Sequence, residues 1–141
     1  MKFGLTFVIA TLMACSGSTT PNPVFYAGTY VLVSVDGVLL PANIDFDGGN
    51  RYVALSGNTI LRIDGSFTKN HLVATHNSAD VRTETRPFVY NGSYEIVGSR
   101  ITFNFPANAT DPAHSVEGDI ADGVISQTSS SGRSWRFVRQ P

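Results

Sequence analysis

The chain has a single cysteine, Cys15, in 141 residues. That excludes an intramolecular disulfide framework and cysteine-rich zinc motifs. Charge is scarce too. Asp, Glu, Lys and Arg make up 15% of the residues, against about a quarter in an average globular protein. Ten basic side chains against eleven acidic ones leave a net charge of −1, so no basic field exists to hold a nucleic-acid backbone and no nucleic-acid partner is expected. No Gly-x-Ser-x-Gly nucleophile elbow occurs. From Phe25 onward no segment keeps a helical period. The length suits one domain and is too short for two ordinary ones.

The one long apolar run lies at the start. Lys2 supplies a positive flank, and residues 3–14 form an apolar stretch too short to span a bilayer. It ends in Leu12-Met13-Ala14-Cys15, which resembles the lipobox of bacterial lipoproteins, with Leu at −3, a small residue at −1 and Cys at +1. The resemblance implies cleavage before Cys15, a diacylglyceryl thioether on its sulfur and often an N-acyl chain such as palmitate. Two or three acyl chains anchor stably where one is marginal. An ordinary secretory leader followed by a free thiol is the alternative. Residues 16–23, Ser-Gly-Ser-Thr-Thr-Pro-Asn-Pro, have linker composition and read as a flexible spacer. The expected organisation is a signal peptide over 1–14, a lipidated Cys15 with its linker over 15–24, and a domain over 25–141. Ser16 after the lipidated cysteine resembles an outer-membrane sorting signal, which would place the protein in the cell envelope.

What remains is rich in turn formers, with 13 glycines and 7 prolines. Short alternating runs broken by Gly, Asn and Asp predict an all-β fold. The runs cover residues 28–35, 38–40, 51–55, 59–63, 66–75, 81–90, 93–97, 100–105, 114–120, 124–129 and 134–138, with residues 42–50 read as a loop. Asp36-Gly37, Ser56-Gly57-Asn58, Asp64-Gly65, Gly98-Ser99, Asp122-Gly123 and Ser131-Gly132 mark turns. Asn91-Gly92 gives the strongest hairpin signal of all. Pro87 marks a possible interruption. Eight to ten short strands joined by tight turns form an antiparallel up-and-down meander, and such a meander hides its edges most simply by closing into a barrel.

A second resemblance rests on Gly28-Thr29-Tyr30, which is similar to the Gly-x-Trp start of lipocalins with Tyr in place of Trp. Asp64-Gly65-Ser66-Phe67, Gly92-Ser93-Tyr94 and Arg100-Ile101-Thr102-Phe103 resemble the pattern of small bacterial lipocalin-like lipoproteins. The resemblance implies a lipocalin-like barrel in which Arg136 or Arg139 covers the ring of Tyr30.

Candidate chemistry is sparse. His71 and His76 stand five apart, on opposite faces of a continuous strand. A bulge would be needed to bring them together with His114 around a metal, and solvated histidines are the simpler reading. Asp45-Phe46-Asp47-Gly48-Gly49-Asn50 has the start of a calcium loop but lacks its distal acid, with Gly57 and Asn58 where the acid would stand. Glu117 and Asp119 share a strand face and Asp122 follows them, an acidic turn on the outside. No catalytic residue, metal or cofactor is expected, and the chain does not read as an enzyme.

The aromatics form the main set. Tyr30, Phe67, Tyr90, Tyr94, Phe103, Phe105, Trp135 and Phe137 recur on inward faces of several strands. They fill a barrel core or line an apolar cavity with tyrosine hydroxyls at its mouth. Of these, Tyr30, Phe67, Tyr90, Tyr94, Phe103 and Trp135 are the candidate ligand-binding residues. The expectation is a membrane-anchored barrel that binds a small apolar or amphipathic molecule. The alternative is a solid barrel acting on an envelope protein through residues 42–50 and 106–113.

Overall fold

The computed structural model describes residues 23–141. The leader, Cys15 and the linker as far as residue 22 lie outside the described residues. After a single 3-10 turn, Pro23–Phe25, ten strands follow: β1 (Gly28–Val35), β2 (Val38–Leu39), β3 (Ala42–Asp47), β4 (Asn50–Leu61), β5 (Ser66–His76), β6 (Arg82–Val97), β7 (Arg100–Phe105), β8 (His114–Ala121), β9 (Val124–Thr128) and β10 (Ser134–Arg139).

All pairings are antiparallel. From β4 to β10 each strand pairs with the next in sequence, and β10 pairs with β1. The first half of β1 then pairs with the last part of β4, Gly28 opposite Leu61 and Val31 opposite Asn58. This closes an eight-stranded barrel, the all-β meander that the alternation predicts. β2 and β3 are additions outside the ring, on β1 and on the first half of β4.

Tight turns set the register. At Asp36-Gly37 and Asp122-Gly123 both residues have positive φ, between 50° and 77°, the geometry that matches the twist of a two-residue hairpin. Asp36 also ties the turn to β10. Its carboxylate accepts from Ser134 N and from Arg133 Nη1, both at 2.7 Å, and these bonds lower its pKa.

Four local expectations are corrected. The segment 42–50 is not a loop: Ala42 is buried and Ile44 packs on the core. The bulge between Asn43 and Asp45 and the polar composition conceal its alternation. Ser56-Gly57-Asn58 is not a turn but the middle of β4, next to a bulge between Ala54 and Ser56. There Gly57 leaves room for His71 and Leu32, whose side chains a Cβ would meet at 2.9 and 3.2 Å.

Asn91-Gly92 is likewise no hairpin; β6 runs straight through it. Gly92 faces inward opposite Phe67, and a Cβ there would strike the Asn104 carbonyl and stand 2.8 Å from the Phe67 ring. The glycine is there for space, not for backbone conformation. Pro87 does not interrupt the strand either. β7 pairs with β6 only from Ser93 to Val97, so Pro87 sits where β6 has one partner, β5, a position that tolerates a missing N–H. Because no turn falls in them, β4 and β6 reach 12 and 16 residues, longer than the short strands expected, whereas β5, with 11 residues, follows the expected run over 66–75.

Residue alternation fills the interior. Tyr30, Phe67, Phe103, Phe137, Leu61, Ile101, Ile120 and Ile125 are all almost fully buried and belong to one cluster. Phe67 stands at its centre, edge-on to Phe103 and to Phe105 with ring centroids 5.1 Å away in each case.

Candidate functional site

The structure divides the six candidate aromatics between the two ends of the barrel. Tyr30, Phe67, Tyr94 and Phe103 belong to the packed end. Tyr30 Oη donates to the Tyr26 carbonyl at 2.8 Å and Tyr94 Oη to the Arg62 carbonyl at 2.7 Å. Both hydroxyls thus hold backbone, and burial raises both pKa values. Arg139, not Arg136, takes the position beside Tyr30. It pairs with Tyr30 across the β1–β10 ladder, and its guanidinium donates to the carbonyls of Phe25 (2.9 Å) and Ala27 (2.6 Å). Arg136 is exposed on the outer face.

Tyr90 and Trp135 belong to the other end. Here β4, β5 and β6 continue beyond the ring as an extension of the sheet, with β3 on its β4 edge. Their shared register places Phe67 beside Gly92, Lys69 beside Tyr90, His71 beside Phe88, Val73 beside Arg86 and Thr75 beside Glu84 on the concave face. The His71 imidazole stacks on the Trp135 indole, centroids 4.9 Å apart and planes 15° from parallel. Tyr90 meets His71 and Phe105 edge-on and lies parallel to Phe88. Phe88 and Tyr90 are 36% and 38% exposed, a ring pair standing at the mouth. Above them Asn50, Tyr52, Val73, Thr75, Thr83, Glu84, Arg86 and Phe88 line a concavity of about 370 Å³. Concavities elsewhere, lined among others by Glu117 and Ser126, by Val53 and His76, and by Thr29 and Arg139, do not include Lys69, Phe103 or Phe137 in their lining, nor does this one.

Sequence reasoning missed Lys69 and Gln127. The side chain of Lys69 points into the barrel and is 3% exposed. Its Nζ lies 4.3 Å from the centroid of Phe103, 5.5 Å from Phe137 and 5.7 Å from Phe105, and it donates to Gln127 Oε1 at 2.7 Å. Among the described residues it has no ion-pair partner. Burial without a counter-charge pushes its pKa down to about 7. Burial, and then the neighbouring Lys69 charge, push His71 down to about 4. The available signal was the alternation Phe67, Lys69, His71 between an aromatic and an aromatic-like ring, which puts all three on one face.

Three buried polar atoms around this column have no partner among the described residues: Thr59 Oγ1, His71 Nε2 and Trp135 Nε1. Thr59 is the cross-strand neighbour of Lys69, and Gln127 that of Trp135. Buried polar groups are normally satisfied, so this concentration is unusual. It offers a ligand hydrogen bonds and one positive charge at the inner end of an aromatic-walled mouth.

The remaining candidates do not converge. His71 faces inward, whereas His76 lines an outer concavity with Val53 and Arg82. His114 stacks on Phe105, and its Nδ1 lies 3.2 Å from the Pro112 carbonyl. Among the described residues no group of three or more His, Cys, Asp or Glu side chains is placed to hold a metal. The Asp45 carboxylate accepts from the next backbone N–H, that of Phe46. Glu117 pairs with Arg100 at 2.7 Å on the outer face, where Asp119 is also exposed, and Asp122 lies in its turn. The segment 106–113 is a loop, organised by the Asn108 side chain, whose Oδ1 accepts from the backbone N–H groups of Thr110 and Asp111.

Compared with known proteins, the chain matches no family model, no curated protein and no solved structure.

Proposed function

We propose that this protein is a lipid-anchored envelope protein whose lipocalin-like barrel binds a small amphipathic molecule at its aromatic mouth. The observation that carries the reading is the exposed Phe88–Tyr90 pair above the stacked His71 and Trp135, with Trp135 Nε1 and His71 Nε2 buried and unpartnered. Small-molecule sites are concave with a few convergent polar groups, and here the aromatic pair borders a concavity of mixed polar and apolar lining. The lipocalin-like reading draws on the closed eight-stranded meander and on Arg139 beside Tyr30. The anchor draws on the lipobox resemblance at Leu12-Met13-Ala14-Cys15 alone.

Trp135 is the sole tryptophan, so its emission reports on the site directly. Titration with single-chain amphiphiles should give a saturable change in that emission, and a flat response would overturn the binding reading. Mass spectrometry of membrane-extracted protein tests the anchor separately: an unmodified Cys15 at a mature N-terminus would refute it.

A second reading draws on the filled core. Phe67, Phe103 and Phe137 are each at most 1% exposed, as in a solid barrel that acts on an envelope protein through its surface. Loop 106–113 and the β3–β4 hairpin would then make the contact, and recovery of a specific partner with the anchored domain would favour this reading.

A further inference from the structure

Among the described residues, the barrel contains a cation with no counter-ion, Lys69. Lys69 is held among three phenylalanine rings by one neutral acceptor, Gln127 Oε1. An ammonium can donate three hydrogen bonds, so two are left unmade among the described residues. Burying a charge this way is costly unless something pairs with it. Around it, the Trp135 indole N–H and the Thr59 hydroxyl are also buried without partners. Trp135 Nε1–H can only donate and Thr59 can donate, so the column is rich in donors. The groups that could titrate beside Lys69 are His71 on its own strand and Tyr90 on β6. β4, β7, β9 and β10 present Thr59, Phe103 and Phe105, Gln127, and Trp135 and Phe137.

We infer that the ligand is a single-chain amphiphile with a carboxylate head, and that Lys69 with Gln127 receives that head while the acyl chain runs out along the mouth. This inference rests on the proposed small-molecule reading and names the ligand's chemical class. A carboxylate supplies the missing acceptors, and charge-assisted hydrogen bonds to a buried ammonium are among the stronger ones. Beyond the head, His71, Tyr90 and Phe88 offer an aromatic track as far as Val73, where Thr75, Glu84 and Arg86 make the concave row polar. At about 3.3 Å per residue, β5 extends that track by roughly 13 Å from Lys69 to Val73. A single monovalent head suits a single unpaired cation: Arg86, further out on the same concave face, is paired with Glu84.

The test compares dodecanoate with dodecanol, which have the same chain length and differ in head-group charge, by Trp135 emission at pH 6.5 in the wild type and in Lys69→Met and Lys69→Gln. Wild type should bind dodecanoate at least about tenfold more tightly, and both variants should bring the ratio of the two affinities to near one. Cooperative thermal unfolding of each variant, followed by circular dichroism, confirms that it is folded, and two variants of different polarity guard against the failure of one. Equal affinities in wild type would overturn the inference and leave the small-molecule reading in place. A carboxylate preference that survives in both variants would also overturn it, by removing Lys69 from the head-group site. Binding of neither compound would overturn the small-molecule reading, and the inference with it.

Discussion

The imidazole of His71 lies flat on the indole of Trp135, 64 positions away in the chain and 4.9 Å away between ring centres. The contact exists because β5 and β10 face one another across the barrel mouth, with Gly57 leaving the space His71 needs.

Protonated imidazole quenches indole fluorescence at this range, so the emission of Trp135 should report His71. Burial holds His71 at about 4. The emission should therefore fall with a midpoint near pH 4 rather than near the ordinary histidine value, and His71→Phe should abolish the step. A pH titration of steady-state fluorescence checks both.

The same shift makes folding sensitive to acid. The unfolded chain takes up a proton on His71 near its ordinary value of 6.5, whereas the folded chain takes it up only near 4. Between these values the unfolded state holds more protons, so stability falls as the pH drops through the window. Full expression of the shift amounts to about 3 kcal/mol. Denaturant unfolding at pH 7, 5.5 and 4.5 should show the loss in wild type and a shallower slope in His71→Phe. Asp36 and Asp64, whose pKa values lie below 3.8, act in a separate window at lower pH.

Lys69 has the same sign at higher pH. Its folded value of about 7 lies below the ordinary 10.5, so the folded state gains stability as the pH rises from 7 towards 10.5, and the cost of the buried charge is full below 7. Replacing the pair by Lys69→Met with Gln127→Leu removes that charge and its lone acceptor together. The double variant should gain about 1–4 kcal/mol at pH 6, with the gain shrinking as the pH rises above 7. Chemical denaturation across that range measures it.

Two glycines separate space from conformation. Gly92→Ala should cost about 2–3 kcal/mol, because the added methyl meets the Phe67 ring and the Asn104 carbonyl. Gly37→Asn places a residue that tolerates positive φ where nothing lies within 4 Å, and should cost under about 1 kcal/mol. If Asn91-Gly92 formed a hairpin turn, the first cost would shrink to that of a backbone effect. Equilibrium unfolding of both variants decides.

Arg139 anchors the chain entry to the last strand. Arg139→Met removes its bonds to the carbonyls of Phe25 and Ala27 and should cost about 1.5–3 kcal/mol. The exposed Arg136→Met should change stability by less than about 0.5 kcal/mol. Hydrogen exchange at residues 24–28 should accelerate only in the Arg139 variant.

Alternation and turn chemistry in the sequence determined the fold class, most strand positions and the tight hairpins at Asp36-Gly37 and Asp122-Gly123. These signals are local: a period of two and a pair of residues with positive φ act within a few positions of each other. The tertiary structure alone decided the roles of Gly57, Gly92 and Lys69. A glycine that makes room for a ring across the barrel reads in sequence like a glycine that makes a turn, because the ring lies on another strand. Likewise a lysine between two aromatic-type residues reads as ordinary alternation until closure turns its face inward. Only closure brings Phe103, Gln127 and Phe137 around Lys69. The cost of burying that charge is a property of the closed interior, and no stretch of the chain contains it by itself.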